Sequence, residues 1–148
     1  MTRVLTYGTF DLFHVGHLKI LERLAEFGDE LYVGVSTDEF NALKGKRSVI
    51  PYDQRAAIVS ALRCVTHVLP EADWAQKRRD IEEFRIDIFG MGHDWAGKFD
   101  DLTDVCRVVY LPRTEGISST QLRTGLGARG GGRVVDIKSG RDRVSDVV

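Results

Sequence analysis

Arg3-Val4-Leu5-Thr6-Tyr7-Gly8-Thr9-Phe10-Asp11-Leu12-Phe13-His14-Val15-Gly16-His17 decides the architecture of the chain. Its first residues are a short run rich in β-branched and aromatic side chains, bounded by Gly8, and read as a strand. Directly after it, Leu18, Leu21, Leu24 and Ala25 recur at spacings of three and four, the mark of an amphipathic helix. Strand, glycine-containing turn and helix make one βα unit. The turn is unusual in carrying His14 and His17 on either side of Gly16.

The same alternation continues outward. Glu30–Ser36 reads as a second strand, and Ser36-x-x-Glu39 fits a capping box opening a short helix. Pro51-Tyr52-Asp53 starts a helix running through Ile58 and Leu62. Val65–Leu69 is a third strand closed by Pro70, and Asp73-x-x-Gln76 opens a helix to Phe84. Ile86–Met91 and Val108–Leu111 are strands four and five. Ser118-x-x-Gln121 caps a last helix through Leu122 and Leu126. Strands alternating with helices imply right-handed crossovers and a three-layer α/β/α fold around a five-stranded, mostly parallel sheet. Ligands in such sheets bind at the carboxyl ends of the strands, so the loops at 8–17, 90–98 and 112–118 should converge on one site.

Composition narrows the function classes. The 148 residues carry 43% hydrophobic and 29% charged side chains, as expected for one globular domain. The net charge of −1 argues against a protein that binds nucleic acid by bulk phosphate neutralisation. No apolar run approaches the roughly 20 residues of a membrane span, and the chain opens into a strand rather than a secretory signal. Cys64 and Cys106 have neither redox nor zinc spacing and read as reduced, half-buried thiols of a cytoplasmic protein. Residues 1–126 hold 16 Lys/Arg against 19 Asp/Glu, whereas 127–148 hold 5 against 3 and begin Gly127-Ala128-Arg129-Gly130-Gly131-Gly132. The expectation is a folded domain over 1–126 and a glycine-rich flexible tail over 127–148.

The loops carry the chemistry. A helix N-terminus offers unpaired N–H groups and the positive end of a dipole, and Gly16 lets a ligand approach the backbone. Two imidazoles at that point can bond phosphate oxygens and respond to charge developing in a reaction, or they simply cap the helix. The loop Arg113-Thr114-Glu115-Gly116-Ile117-Ser118-Ser119-Thr120 also runs from a strand into a capped helix. Arg113 offers a planar fork for phosphate, and the hydroxyls and N–H groups of Ser118, Ser119 and Thr120 form a second anion cradle. Lys44-Gly45-Lys46-Arg47 is a cationic loop with a glycine hinge. Lys77 shares a helical face with Trp74, Ile81 and Phe84, where an ammonium must snorkel out or meet an anion. Arg55 and Arg63 fall near the third helix, to pair with carboxylates or, for Arg63, to reach the site or a subunit interface. Gly92-x-x-x-x-Gly97-Lys98 resembles a P-loop, but Phe99 stands where the magnesium-binding hydroxyl would be. Gly90-x-Gly92 meets Trp95 instead of a third glycine.

Tyr7-Gly8-Thr9-Phe10-Asp11 before His14-Val15-Gly16-His17, together with Arg113–Thr120, resembles the cytidylyltransferase branch of the HxGH nucleotidyltransferases. Ser36–Asn41, Asp94–Asp100 and Val109–Pro112 are similar to the members of that branch that use glycerol phosphate. The likeness spans roughly residues 3–126 and departs at Ser119, where Thr is expected, and at His93, where Asp is expected. It implies a Rossmann-like fold and transfer of CMP from CTP to sn-glycerol 3-phosphate, with release of CDP-glycerol and pyrophosphate. It implies that Gly8, Thr9 and Phe10 line the nucleotide and that His14 and His17 contact its phosphates. It places Lys46 on the triphosphate, and Arg113, Thr114 and Gly116, Ile117, Ser118, Ser119 and Thr120 around base, ribose and phosphates. Arg63 and Asp94 join the CTP side, and Lys44, Lys77, Asp11 and Trp74 the acceptor side. The histidines, these lysines and Arg113 are expected to supply positive charge, with magnesium carried by the triphosphate and its protein ligands unassigned. The resemblance further implies a homodimer serving teichoic-acid-type polymer synthesis, with no nucleic acid or membrane partner. The residues alone leave open another phosphorylated acceptor, such as ribitol phosphate, a sugar phosphate or a flavin precursor, and a nucleotide-binding regulatory module.

Overall fold

Five strands form one sheet in the order β3-β2-β1-β4-β5, and every neighbouring pair is parallel. The strands are β1 (Arg3–Gly8), β2 (Glu30–Ser36), β3 (His67–Glu71), β4 (Ile88–Gly92) and β5 (Arg107–Leu111). The helices are α1 (Val15–Ala25), α2 (Asp38–Leu43), α3 (Tyr52–Ser60) and α4 (Gln76–Glu83), with short 3-10 turns at His93–Trp95 and Asp100–Leu102. The computed structural model describes residues 1–113. The expected last helix, the loop beyond Arg113 and the glycine-rich tail lie outside the described residues.

Alternation along the central strands divides the core. On one face Val4, Leu31, Val33, Val35 and Ile88 pack with Leu21 and Leu24 of α1 and Val59 of α3. On the other, Leu5, Tyr7, Tyr32, Phe89 and Met91 pack with Ile81 of α4 and with Leu102. Strands buried on both faces read as near-continuous apolar runs, which is why β1, β2 and β4 are visible in the sequence. Gly34 has no side chain because a Cβ there would stand 2.2 Å from a Tyr7 ring carbon. Among the described residues no helix is long and apolar enough to cross a membrane. Cys64 and Cys106 are free and half-buried.

Several boundaries differ from the sequence reading: α3 ends at Ser60, β3 begins at His67, and β4 runs Ile88–Gly92. Three further differences have a physical cause. Strand β3 does not stop before Pro70; it continues through it to Glu71. As an edge strand, β3 tolerates proline where its missing N–H faces away from the ladder. The cap of α2 is Thr37, whose hydroxyl accepts from the Phe40 N–H at 3.1 Å, whereas Ser36 is the buried last residue of β2. Helix α4 starts at Gln76, not Asp73; the Gln76 side-chain Oε1 reaches back to the N–H groups of Ala72 and Asp73. The switch point, where the chain departs from β1 to β2 on one side and β4 lies on the other, is the place the fold provides for a ligand.

Candidate active site

At the carboxyl end of β1 the chain turns through Phe10 (φ 53°) and Leu12 (φ 48°), both left-handed. For residues with a Cβ this costs on the order of 1–2 kcal/mol each, so the loop must be held from outside. The Phe10 ring is buried and folds back over Gly8, where a Cβ would meet it at 2.8 Å. The Asp11 carboxylate accepts from the N–H groups of Leu12 (3.1 Å), Val49 (2.8 Å) and Ile50 (2.9 Å). Burial opposes its ionisation, but these three bonds outweigh it and hold its pKa below the usual carboxylate value. Asp11 therefore clamps two loops together, and it also lines the cleft.

His14 is the N-cap of α1, and it forms a capping box with His17. His14 Nδ1 accepts from the Gly16 N–H at 3.0 Å, and the His14 N–H donates to His17 Nδ1 at 3.1 Å. A backbone N–H can only donate, so both Nδ1 atoms are acceptors and both neutral rings carry their proton on Nε2. Capping and ligand binding are thus not rival roles, because the capping bonds use only the Nδ1 of each ring. The rings stack at 4.0 Å, and His17 also lies against Phe10 and Phe13. Burial, and then the neighbouring His14, push His17 down to about 4; burial lowers His14 as well. Both shifts favour the neutral ring, the form in which each Nδ1 accepts.

The second wall is the loop carrying Lys44, Lys46 and Arg47. Arg55, 1% exposed, anchors it. Its guanidinium donates to the carbonyls of Ile50 (2.8 Å), Thr9 (2.8 Å) and Ser36 (2.7 Å) and to Asp38 Oδ1 (2.7 Å). One side chain thereby ties the His loop, the end of β2, the start of α2 and the cationic loop. Asn41, fully buried, donates to Ser48 Oγ and accepts from Thr9 Oγ1, adding a second tie.

Deeper in the cleft, Lys77 is 7% exposed and its ammonium bonds Glu71 Oε2 at 2.7 Å. It does meet an anion, as its apolar face required, but an internal one. Glu71 Oε1 accepts from Ser36 Oγ at 2.6 Å, a pairing set by the register that makes Ser36 and Glu71 partners across β2 and β3. Ser36 Oγ in turn accepts from Lys44 Nζ at 3.4 Å. Lys44 lies 4.4 Å from the Phe40 ring, and Trp74, 60% exposed, stands edge-on to Phe40 between the two ammonium groups. Burial lowers the pKa of Lys44, and the charge of Glu71 works against that shift. Beneath Lys77, the Tyr7 hydroxyl donates to Asp80, which also accepts from Gln76.

These residues bound one cleft of about 660 Å³ at the carboxyl ends of the strands. Gly8, Thr9, Phe10, His17, Lys44, Lys46, Trp74, Lys77 and Asp94 all line it, and His14 and Gly16 adjoin through the first turn of α1. Arg113 pairs with Asp94 at 2.7 Å, both exposed, an ion pair worth no more than about 1 kcal/mol. Arg63 is not among them. It is exposed after α3, and α3 runs back along the sheet, so its end lies near the start of β3, away from the cleft. Thr114, Gly116, Ile117, Ser118, Ser119 and Thr120 lie outside the described residues. Among the described residues no three His, Cys, Asp or Glu side chains gather to hold a metal ion. Arg55 pairs with a carboxylate, Asp38, as the sequence reading had it, but its three carbonyl partners were not foreseen. Glu71, the last residue of β3, was not singled out in the sequence.

Residues 5–125 match the cytidylyltransferase-like family. The glycerol-3-phosphate cytidylyltransferase of Staphylococcus aureus is 52% identical over 126 residues, covering 85% of this chain and 96% of that protein. That of Bacillus subtilis is 54% identical over 123 residues, covering 83% and 95%. Among solved structures, a lipopolysaccharide core biosynthesis protein from Thermoplasma volcanium superposes with a TM-score of 0.68 at 26% identity, covering 78% of this chain and 99% of that one.

Proposed function

The chain belongs to the cytidylyltransferase-like family, and from that premise we propose that it is an enzyme joining CTP and sn-glycerol 3-phosphate into CDP-glycerol and pyrophosphate. A phosphate oxygen of the acceptor attacks the α-phosphorus of CTP, and pyrophosphate leaves in line. A phosphate dianion is already nucleophilic, so the protein's work is positioning and stabilising charge. Magnesium enters with the triphosphate as part of the substrate, held mostly by phosphate oxygens and water.

The paired histidines carry this reading. Two rings held by their Nδ1 atoms lie at the N-terminus of α1, a setting suited to phosphate oxygens. Lys46 contributes charge from the facing loop, and Arg113, paired with Asp94, contacts the nucleotide in this reading. Lys44, Lys77 and Trp74 form the acceptor end. A homodimer, inferred from the resemblance, is tested by sedimentation.

The decisive experiment incubates the protein with magnesium, each of four nucleoside triphosphates, and a panel of glycerol phosphate, ribitol phosphate, sugar phosphates and flavin mononucleotide. Product is identified by mass spectrometry and pyrophosphate is counted. CDP-glycerol is expected from CTP and glycerol 3-phosphate. Faster turnover with another pair, or CTP binding without pyrophosphate from any acceptor, overturns the reading.

A further inference from the structure

A carboxylate at the floor of a cleft that must hold two phosphorylated substrates is electrostatically out of place. Glu71 is 4% exposed, lines the cleft, and is bonded to Lys77 directly and to Lys44 through Ser36 Oγ. Lys44, Lys77 and Glu71 together leave one net positive charge around Trp74. Such a site can take a phosphate dianion while the carboxylate continues to face whatever else the acceptor carries. A hydroxyl can donate a hydrogen bond to Glu71, since each carboxylate oxygen accepts more than one. A second anionic group cannot, and like charges brought together in a partly dry cleft are strongly disfavoured.

We propose that Glu71 is the acceptor-selecting residue of this site: it allows the two lysines to hold a phosphomonoester whose remainder is uncharged and hydroxylated, and it turns away phosphomonoesters that also carry a carboxylate. The proposal deepens the function inferred above and rests on it for the identity of the acceptor. It explains why the lysine on the apolar face of α4 has an internal partner. Lys77 alone would add an attraction for any anion, and with Glu71 beside it the site distinguishes one anionic group from two.

The test is calorimetric titration of the wild type and of Glu71→Gln with glycerol 3-phosphate and 3-phosphoglycerate, with CDP-glycerol turnover measured in parallel. The two ligands differ at one end, hydroxymethyl against carboxylate. The wild type is expected to bind 3-phosphoglycerate about tenfold or more weakly than glycerol 3-phosphate, and Glu71→Gln to narrow that ratio by about fivefold or more. A merely structural role would weaken both ligands alike and leave the ratio unchanged, which overturns the proposal. Should Glu71→Gln fail to fold, the wild type decides with dihydroxyacetone phosphate as the uncharged comparison. Equal affinity for it and 3-phosphoglycerate overturns the proposal, and a gap of about tenfold supports it. Absence of CDP-glycerol from the wild type would instead overturn the proposed reaction, and the binding ratio would still test Glu71.

Discussion

His14 shows how much one side chain can be asked to do. Its Nδ1 caps α1, and substitution separates that duty from the phosphate contact proposed for the ring. Asn is a good N-cap, but its shorter amide does not place a donor where the imidazole Nε2 stands. His14→Asn is expected to keep unfolding free energy within about 0.5 kcal/mol of wild type while CMP transfer falls by about a hundredfold or more. His14→Ala should show the same catalytic loss plus about 1 kcal/mol of instability from the lost cap. Urea unfolding beside steady-state kinetics reads both, and near-wild-type turnover in His14→Asn would remove His14 from the chemistry. His17 gives a pH test. Its folded pKa of about 4 lies below the ordinary value of 6.5, so between these pH values the unfolded chain binds more protons than the folded one. Stability is therefore expected to be full above 6.5 and to decline as pH falls toward 4. The loss should be roughly 1–2 kcal/mol, allowing for solvent screening of a partly exposed ring. His17→Gln keeps an acceptor for the His14 N–H and should flatten that slope in urea unfolding across the window.

Elements are positioned by residues that no local pattern announces. Arg55 reads in the sequence as a partner for carboxylates and does pair with Asp38, yet its other partners come from positions 9, 36 and 50, which only the folded chain brings together. Arg55→Met keeps much of the stem but leaves three carbonyls and a carboxylate without their donor. It is expected to destabilise by about 3–5 kcal/mol and to loosen both walls of the cleft, raising KM for CTP as well as lowering the unfolding midpoint. An unchanged midpoint would show that the loops are held by Asp11 and Asn41 instead. Legibility followed the same division. Strands β1, β2 and β4 were readable because burial on both faces leaves an apolar run in the sequence. The extension of β3 through Pro70 was not, because edge position is a property of the sheet. Glu71 was missed with it, since its link to Ser36 exists only in the β2–β3 register. The histidine pair stood out because its spacing and its place between strand and helix are both local facts; the neutrality of the rings depends on Phe10 and on burial, which are not.

Across the whole molecule the net charge is −1, yet cations face both sides of one cleft. The sum therefore says little about how anionic substrates are drawn in; placement does. Lys46 and Arg47 stand exposed on the cleft wall, while Lys77 is buried against Glu71 and Lys44 is half-buried against Phe40. Salt acts unequally on these groups. Screening shortens from a length of about 10 Å at 0.1 M to about 3 Å at 1 M, and it weakens exposed charges far more than buried ones. Raising sodium chloride from about 0.05 to about 0.5 M should therefore raise KM for CTP several-fold, with a smaller rise in KM for glycerol 3-phosphate. The comparison is internal to one protein and one assay, so a general loss of activity in salt does not imitate it. Equal salt sensitivity of the two constants would mean that the acceptor also depends on the exposed lysine loop, and that the division of the cleft into an open nucleotide end and a half-buried acceptor end is wrong.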